Sequence, residues 1–366
     1  MSTDIAGLKG PRHIADLKGA GRAEQAPPLR TAGPGPIKGA GRFSSRSIGV
    51  VIVAVWALTA VAAPVVAPHA VDDRFPGLLN SPPTVPHVSF VQRPYIYRWT
   101  LVNQLEQRYE IDRGRPVPLR WFSGGTLVQS SDEAGAPLLL FGTDSYGRDV
   151  FSRLLYGARM SLSLALVSAV GAMLIGMAAG GLAGYVGGAL DEALMRTSDF
   201  VMVLPAMYVA LALRAVLPLV LAPRVVFALL AGIFAIVGAP FIARGVRAIV
   251  RSERRLDYAV AAEALGATAA RVLVRHVLPA AGGFVATELA MLIPAFIVAE
   301  ATLSYVGLGF PDPIASWGTM LHDASTNIRV FADFPWLLSP AAAIFLVVLG
   351  LNLAIEDAGG YERTLG

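Results

Sequence analysis

The chain has 366 residues, of which 55% are apolar or aromatic and only 15% charged. That balance, with a mean hydropathy of +0.58, belongs to an integral membrane protein rather than to a soluble domain. Cysteine is absent, which excludes disulfides, thiolate metal sites and cysteine nucleophiles, and the five scattered histidines offer no metal-ligand spacing. The net charge of +4 is no argument for nucleic acid: the basic residues lie in a tail and beside apolar runs, where they mark the cytoplasmic side.

Residues 1–47 are rich in Gly, Pro, Ala, Lys and Arg, and Lys-Gly-Ala-Gly-Arg occurs twice, from Lys18 and from Lys38. This composition predicts a disordered, basic cytoplasmic tail, and the polar lead is too long for a secretory signal. All the lysines (Lys9, Lys18, Lys38) lie in it and none precedes Ser or Thr, so there is no phosphate loop and no nucleotide cofactor is expected on this chain. Residues 48–67 form the first apolar run, about the 20 residues that a bilayer core requires. Arg42 and Arg46 precede it and Asp72 and Asp73 follow, which places the N-terminus inside.

Residues 68–140 are polar and Pro-rich and are expected to form an extracytoplasmic insert. Its aromatics, Tyr95, Tyr97, Trp99, Trp121 and Phe122, suit either a docking patch for a soluble partner or a small folded unit touching the interface. The segment Phe141 to Leu162 reads as a tight turn into a charged amphipathic helix that feeds the second span, Met160 to about Tyr185; Asp149 and Arg153 are spaced to pair. Glycines at 171, 176, 180, 181 and 184 favour close helix contact in that span. A short cytoplasmic turn is expected from Gly187 to Asp199, a third span from Phe200 to about Leu221 and a fourth from Val225 to about Ala243, followed by the cluster Arg244, Arg247, Arg251, Arg254 and Arg255.

Residues 251–279 cannot lie in lipid. Tyr258, Ala261, Ala262 and Leu265 share one helical face, Gly266 breaks the helix, Thr268 caps a second short helix and Pro279 ends it. A fifth span follows from Phe284 to about Val306 and a sixth from Leu337 to about Ile355, leaving 357–366 as a cytoplasmic tail. The expected fold is therefore all-α, with six transmembrane helices and both termini cytoplasmic. Arg214, Glu288 and Glu300 lie within spans and are candidates for the solute pathway because buried charge is costly there.

Two stretches carry a family resemblance. Gly142-Thr143-Asp144, Gly147-Arg148-Asp149 and Ser152-Arg153, in this order, closely resemble the opening of the core of ATP-binding-cassette importer permeases of the dipeptide, oligopeptide and nickel class. Ala261, Ala262, Gly266, Leu278 and Pro279 match the cytoplasmic coupling loop of such permeases, with Asp257 and Glu263 beside them. Val260 stands where that family usually has Glu, and His276 where it has Ile. The resemblance covers 141–356 and implies a permease core. It further implies a second related permease as heterodimer partner, two cytoplasmic ATPase subunits that use ATP, an extracytoplasmic solute-binding protein, and a place in the cell membrane among lipid. Peptides are the first expected solute and nickel the second. An ion-coupled transporter is the competing class, but the sequence shows few intramembrane charges and no internal repeat. A membrane enzyme ranks lowest, since no catalytic motif is present.

Overall fold

A computed structural model describes residues 45–88, 93–203, 208, 212 and 221–356. The expected basic tail, the C-terminal tail, Arg214 and most of the third span lie outside the described residues. In chain order the elements are α1 (Ser45–Val66), strands β1 (Tyr95–Asn103), β2 (Arg108–Ser123) and β3 (Thr126–Ser130), α2 (Val150–Val186), α3 (Gly188–Val203), α4 (Pro223–Glu253), α5 (Asp257–Ala264), α6 (Ala269–Arg271), α7 (Gly282–Tyr305), α8 (Trp317–Ser325) and α9 (Ser339–Glu356).

Five helical stretches among the described residues are long and apolar enough to cross a bilayer: Ser45–Val66, Val150–Val186, Pro223–Glu253, Ala269–Tyr305 and Pro335–Ile355. They match the first, second, fourth, fifth and sixth apolar runs. Three are longer than the runs alone suggested, because helix continues into the flanking polar sequence. The expected surface helix at the second span is the first part of α2, which is continuous for 37 residues. At 1.5 Å per residue that is about 55 Å, so both ends extend beyond a hydrocarbon core of about 30 Å. The arginines expected to follow the fourth span sit partly on the span's own helix, with Arg244, Arg247 and Arg251 inside α4. The segment expected as a short turn from Gly187 to Asp199 is helical from Gly188 onward.

The main helix contact is between α2 and α4, and it depends on missing side chains. A Cβ at Gly176 would lie 2.7 Å from the Ala239 carbonyl oxygen, and one at Gly184 2.6 Å from that of Arg247; between them Gly180 meets the Ala243 carbonyl. Glycines four apart on α2 thus bring the backbone of α4 within van der Waals reach, the geometry that small residues permit between membrane helices. At the other flank α1 packs on α9, where Gly49 and Gly350 face each other.

The segment between α1 and α2 adds β structure to the helical membrane part. It forms an antiparallel sheet in the order β1-β2-β3, with Ile96 and Leu119 buried against Ala136 and Leu138, and β3 packs beside α1. The interdigitating rings of His87, Tyr95 and Tyr97 belong to this unit, while Trp121 and Phe122 stay exposed at the β2–β3 turn.

Candidate functional site

The two motif-bearing stretches lie at opposite ends of α2. At the N-terminal end, Gly142 (φ +68°) and Gly147 (φ +75°) form a turn that presses on the carbonyls of Ser81 and Phe75, where a Cβ has no room. Thr143 Oγ1 donates to the Leu78 carbonyl and accepts from the Ser81 amide at 2.8 Å. Asp144 accepts from the amides of Tyr146 and Arg148, both at 2.9 Å, and closes the turn.

The buried Arg148 side chain then reaches three carboxylates: Nε to Asp144 at 2.7 Å, Nη1 to Asp312 at 2.7 Å and Nη2 to Asp323 at 2.6 Å. Arg153, equally buried, stands 3.8 Å from Asp144 and 3.6 Å from Asp323, and Arg74 holds the far side of Asp312 at 3.2 Å. Burial raises the Asp323 carboxyl above its ordinary range, against the pull of the two arginines. This network ties the turn before α2 to the loop after α7 and to α8.

The expected Asp149–Arg153 pair is not formed. Asp149 is instead the N-cap of α2, accepting from the amides of Phe151 and Ser152, which is where a carboxylate best satisfies a helix start. The Ser152 hydroxyl also donates to Asp149, and a further partner is remote in sequence: His69 Nδ1 lies 3.1 Å from Asp149, and His69 Nε2 lies 2.9 Å from Glu133 of the insert. Burial opposes the charge on His69, but the hydrogen bonds to the two carboxylates win and raise its pKa to about 9. Ser152 Oγ accepts from the His69 amide at 3.1 Å.

Of the intramembrane candidates, Glu300 is fully enclosed. Ser161 Oγ donates to it at 2.8 Å and Ser304 Oγ at 2.7 Å, and Ser161 Oγ also accepts from the Trp317 amide at 3.2 Å. That arrangement joins α7, α2 and the start of α8 and faces no open path. Glu288 is half-buried on α7 and makes no hydrogen bond or ion pair among the described residues.

At the C-terminal end of α2 the chain from α4 to α7 forms the second site. α5 starts with Asp257 in its first turn, where a negative charge suits the helix dipole. It ends in a Schellman cap: Gly266 (φ +85°) donates to Glu263, and the Ala267 amide donates to the Ala262 carbonyl at 3.0 Å. Thr268 caps α6 by accepting from the Arg271 amide. Pro279 does not end the second helix as expected. The chain widens into a π-helical turn at Val272–Val277 and tightens into a 3-10 turn at Leu278–Ala281, then runs on as α7. The wider turn takes up the hydrogen bond and the space that a proline would otherwise deny a regular helix.

Of the face shared by Tyr258, Ala261, Ala262 and Leu265, only Ala262 turns partly toward the body, and the other three are exposed. Ala259 is buried and Ala262 half-buried against the body, while Tyr258, Val260 and Leu265 project outward, Leu265 with 89% of its surface exposed. Tyr185 Oη, at the end of α2, donates to Glu263 at 2.6 Å, and Arg254 reaches the Tyr185 carbonyl. Asp191 of α3 accepts from Arg247 of α4 at 2.6 Å. Val260 and Glu263 line a cleft with Arg251, Arg254 and Arg255. Leu278 is half-buried near Gly181 of α2, and His276 is exposed. Sequence reasoning missed Tyr185, His69 and Glu133; a tyrosine ending a span and a histidine following one are not distinctive without the fold.

These features describe a membrane-embedded subunit built to meet other proteins. Residues 172–356 match the family described as binding-protein-dependent transport system inner membrane component, and the chain belongs to that family. An oligopeptide transport system permease protein of Bacillus subtilis is 37% identical over 245 residues, covering 65% of this chain and 75% of that one. A dipeptide transport system permease protein of Alkalihalophilus pseudofirmus is 36% identical over 214 residues (58% and 67% of the two chains). A glutathione transport system permease protein of Pectobacterium atrosepticum is 36% identical over 212 residues (58% and 68%). The chain is a multi-pass transport permease subunit and not an enzyme.

Proposed function

We propose that this chain forms half of a transmembrane pathway for peptides, paired with a second related permease. Two cytoplasmic ATPase subunits supply the energy, and an extracytoplasmic binding protein delivers the solute. The observation that carries the reading is α5: a short capped helix between two long apolar helices, with Tyr258 and Val260 about half exposed and Leu265 almost wholly so. Exposed apolar residues on a helix so held suit a groove on a partner. The solutes named for the relatives are oligopeptides, dipeptides and glutathione, which favours peptides over nickel.

In this reading the chain crosses the membrane six times with both termini cytoplasmic, and the sheet of β1 to β3 lies outside. ATP binding favours one arrangement of the ATPase pair, and linkage requires that this preference reach the spans through the elements in contact. α5 is tied to α2 by Tyr185–Glu263 and continues through residues 269–281 into α7, so a push on α5 moves two spans together. Purification in mild detergent is expected to recover the chain with an ATPase subunit, and uptake of dipeptide into cells is expected to stop on ATP depletion. Uptake that survives depletion, with no ATPase recovered, would sink the importer reading.

A further inference from the structure

On the side of the ion network, between α2, α4 and the loop after α7, there is an open cleft of about 530 Å³, lined among others by Tyr156, Arg159, Ser163, Arg224, Phe227 and Ile314. Its two charged groups are both cationic and no acidic side chain lines it. Neither guanidinium makes a hydrogen bond or ion pair among the described residues. This contrasts with Arg148 and Arg153 nearby, which stand within 4 Å of aspartate carboxylates. Arg224 moreover sits in the first turn of the 31-residue α4, where the positive end of the helix disfavours a cation, so helix stability does not explain it.

Both guanidinia are exposed on this one cleft, where an anion would gain charge-assisted hydrogen bonds from them. The walls beside them are aromatic and aliphatic, and the Ser163 hydroxyl is engaged with the Met160 carbonyl at 3.0 Å. The volume falls within the 300–1,000 Å³ range usual for small-molecule sites. The geometry points to a subsite for the free C-terminal carboxylate of the transported peptide, held by Arg159 and Arg224, with the adjoining side chain against Tyr156, Phe227 and Ile314. This rests on the peptide reading above. The phosphate of an anionic lipid is the other source of the same chemistry.

The test uses the complete transporter in phosphatidylcholine vesicles, with its binding protein saturated either by a dipeptide or by the same dipeptide amidated at the C-terminus. Wild type is expected to move the free acid faster than the amide. Arg159→Gln and Arg224→Gln are expected to slow the free acid about tenfold, the loss of one charge-assisted hydrogen bond, and to leave the amide nearly unchanged. Arg224→Lys should restore much of the free-acid rate, which separates lost charge from misfolding. Equal slowing of both substrates, or no slowing of either, overturns the subsite. If added phosphatidylglycerol accelerates wild type for acid and amide alike and the glutamine variants abolish that effect, the anion is lipid and the solute assignment fails. If wild type moves neither substrate while another solute class is imported, the peptide reading falls and the subsite with it.

Discussion

His69 bridges two carboxylates from different parts of the chain, and the bridge is strongest when both ring nitrogens carry a proton. Its pKa is raised from 6.5 to about 9, so the charged form is the one that the fold favours. A group raised in this way contributes its full stabilisation below the unfolded value of about 6.5 and loses it as pH rises through about 9. A shift of that size corresponds to roughly 3 kcal/mol. Thermal unfolding of the detergent-solubilised protein should therefore fall between about pH 6.5 and about 9, and His69→Gln should be less stable at neutral pH with a much flatter profile. An unaltered slope in the variant would assign the pH dependence to other groups. The same residue shows why the site was only partly legible. Asp149 and Arg153 had the spacing of a helical pair, but a helix N-cap and a histidine 80 residues away took Asp149, leaving Arg153 to Asp144 and Asp323.

Elements built on apolar runs were readable because a bilayer-length run has few alternatives. The glycine spacing in α2 was readable for a similar reason, since such spacing serves close contact, and the structure places Gly176, Gly180 and Gly184 on the backbone of α4. Gly180→Leu forces the two helices apart at their tightest point and should cost about 1–3 kcal/mol or more; reduced assembled yield at normal membrane targeting would report it. Gly266 does a different job. Its φ of +85° is a conformation that a β-branched residue resists, while its surroundings are open. Gly266→Val should therefore keep α5 and α7 but misdirect the turn between them, lowering solute-stimulated ATP hydrolysis while insertion stays intact. Wild-type coupling in that variant would detach α5 from energy transfer. The sheet was not legible, because β2 is exposed along most of its length and so lacks the alternation that marks a half-buried strand. Pro279 misled in the opposite direction: a helix end was expected, but the preceding π turn lets the chain continue.

At the scale of the molecule, α2 is the rod that relates everything else. The ion network and the sheet gather at its start, and α5 is fastened to its end by Tyr185, so about 55 Å of helix separates the two sites. If that rod crosses the bilayer, the sites are exposed to different compartments, and the native absence of cysteine allows this to be measured directly. Phe122→Cys, at the exposed β2–β3 turn, and Leu265→Cys, on the outward face of α5, each create a single thiol at a solvent-facing position. In intact spheroplasts an impermeant maleimide should label Phe122→Cys and not Leu265→Cys; in inside-out vesicles the order should reverse. The positive-inside asymmetry demands this result, because Arg251, Arg254 and Arg255 flank α5. Labelling of both thiols from one side would mean that α2 does not span. The coupling role of α5 and the carboxylate subsite near Arg159 would then fail together, since both require that solute and ATP act from opposite faces.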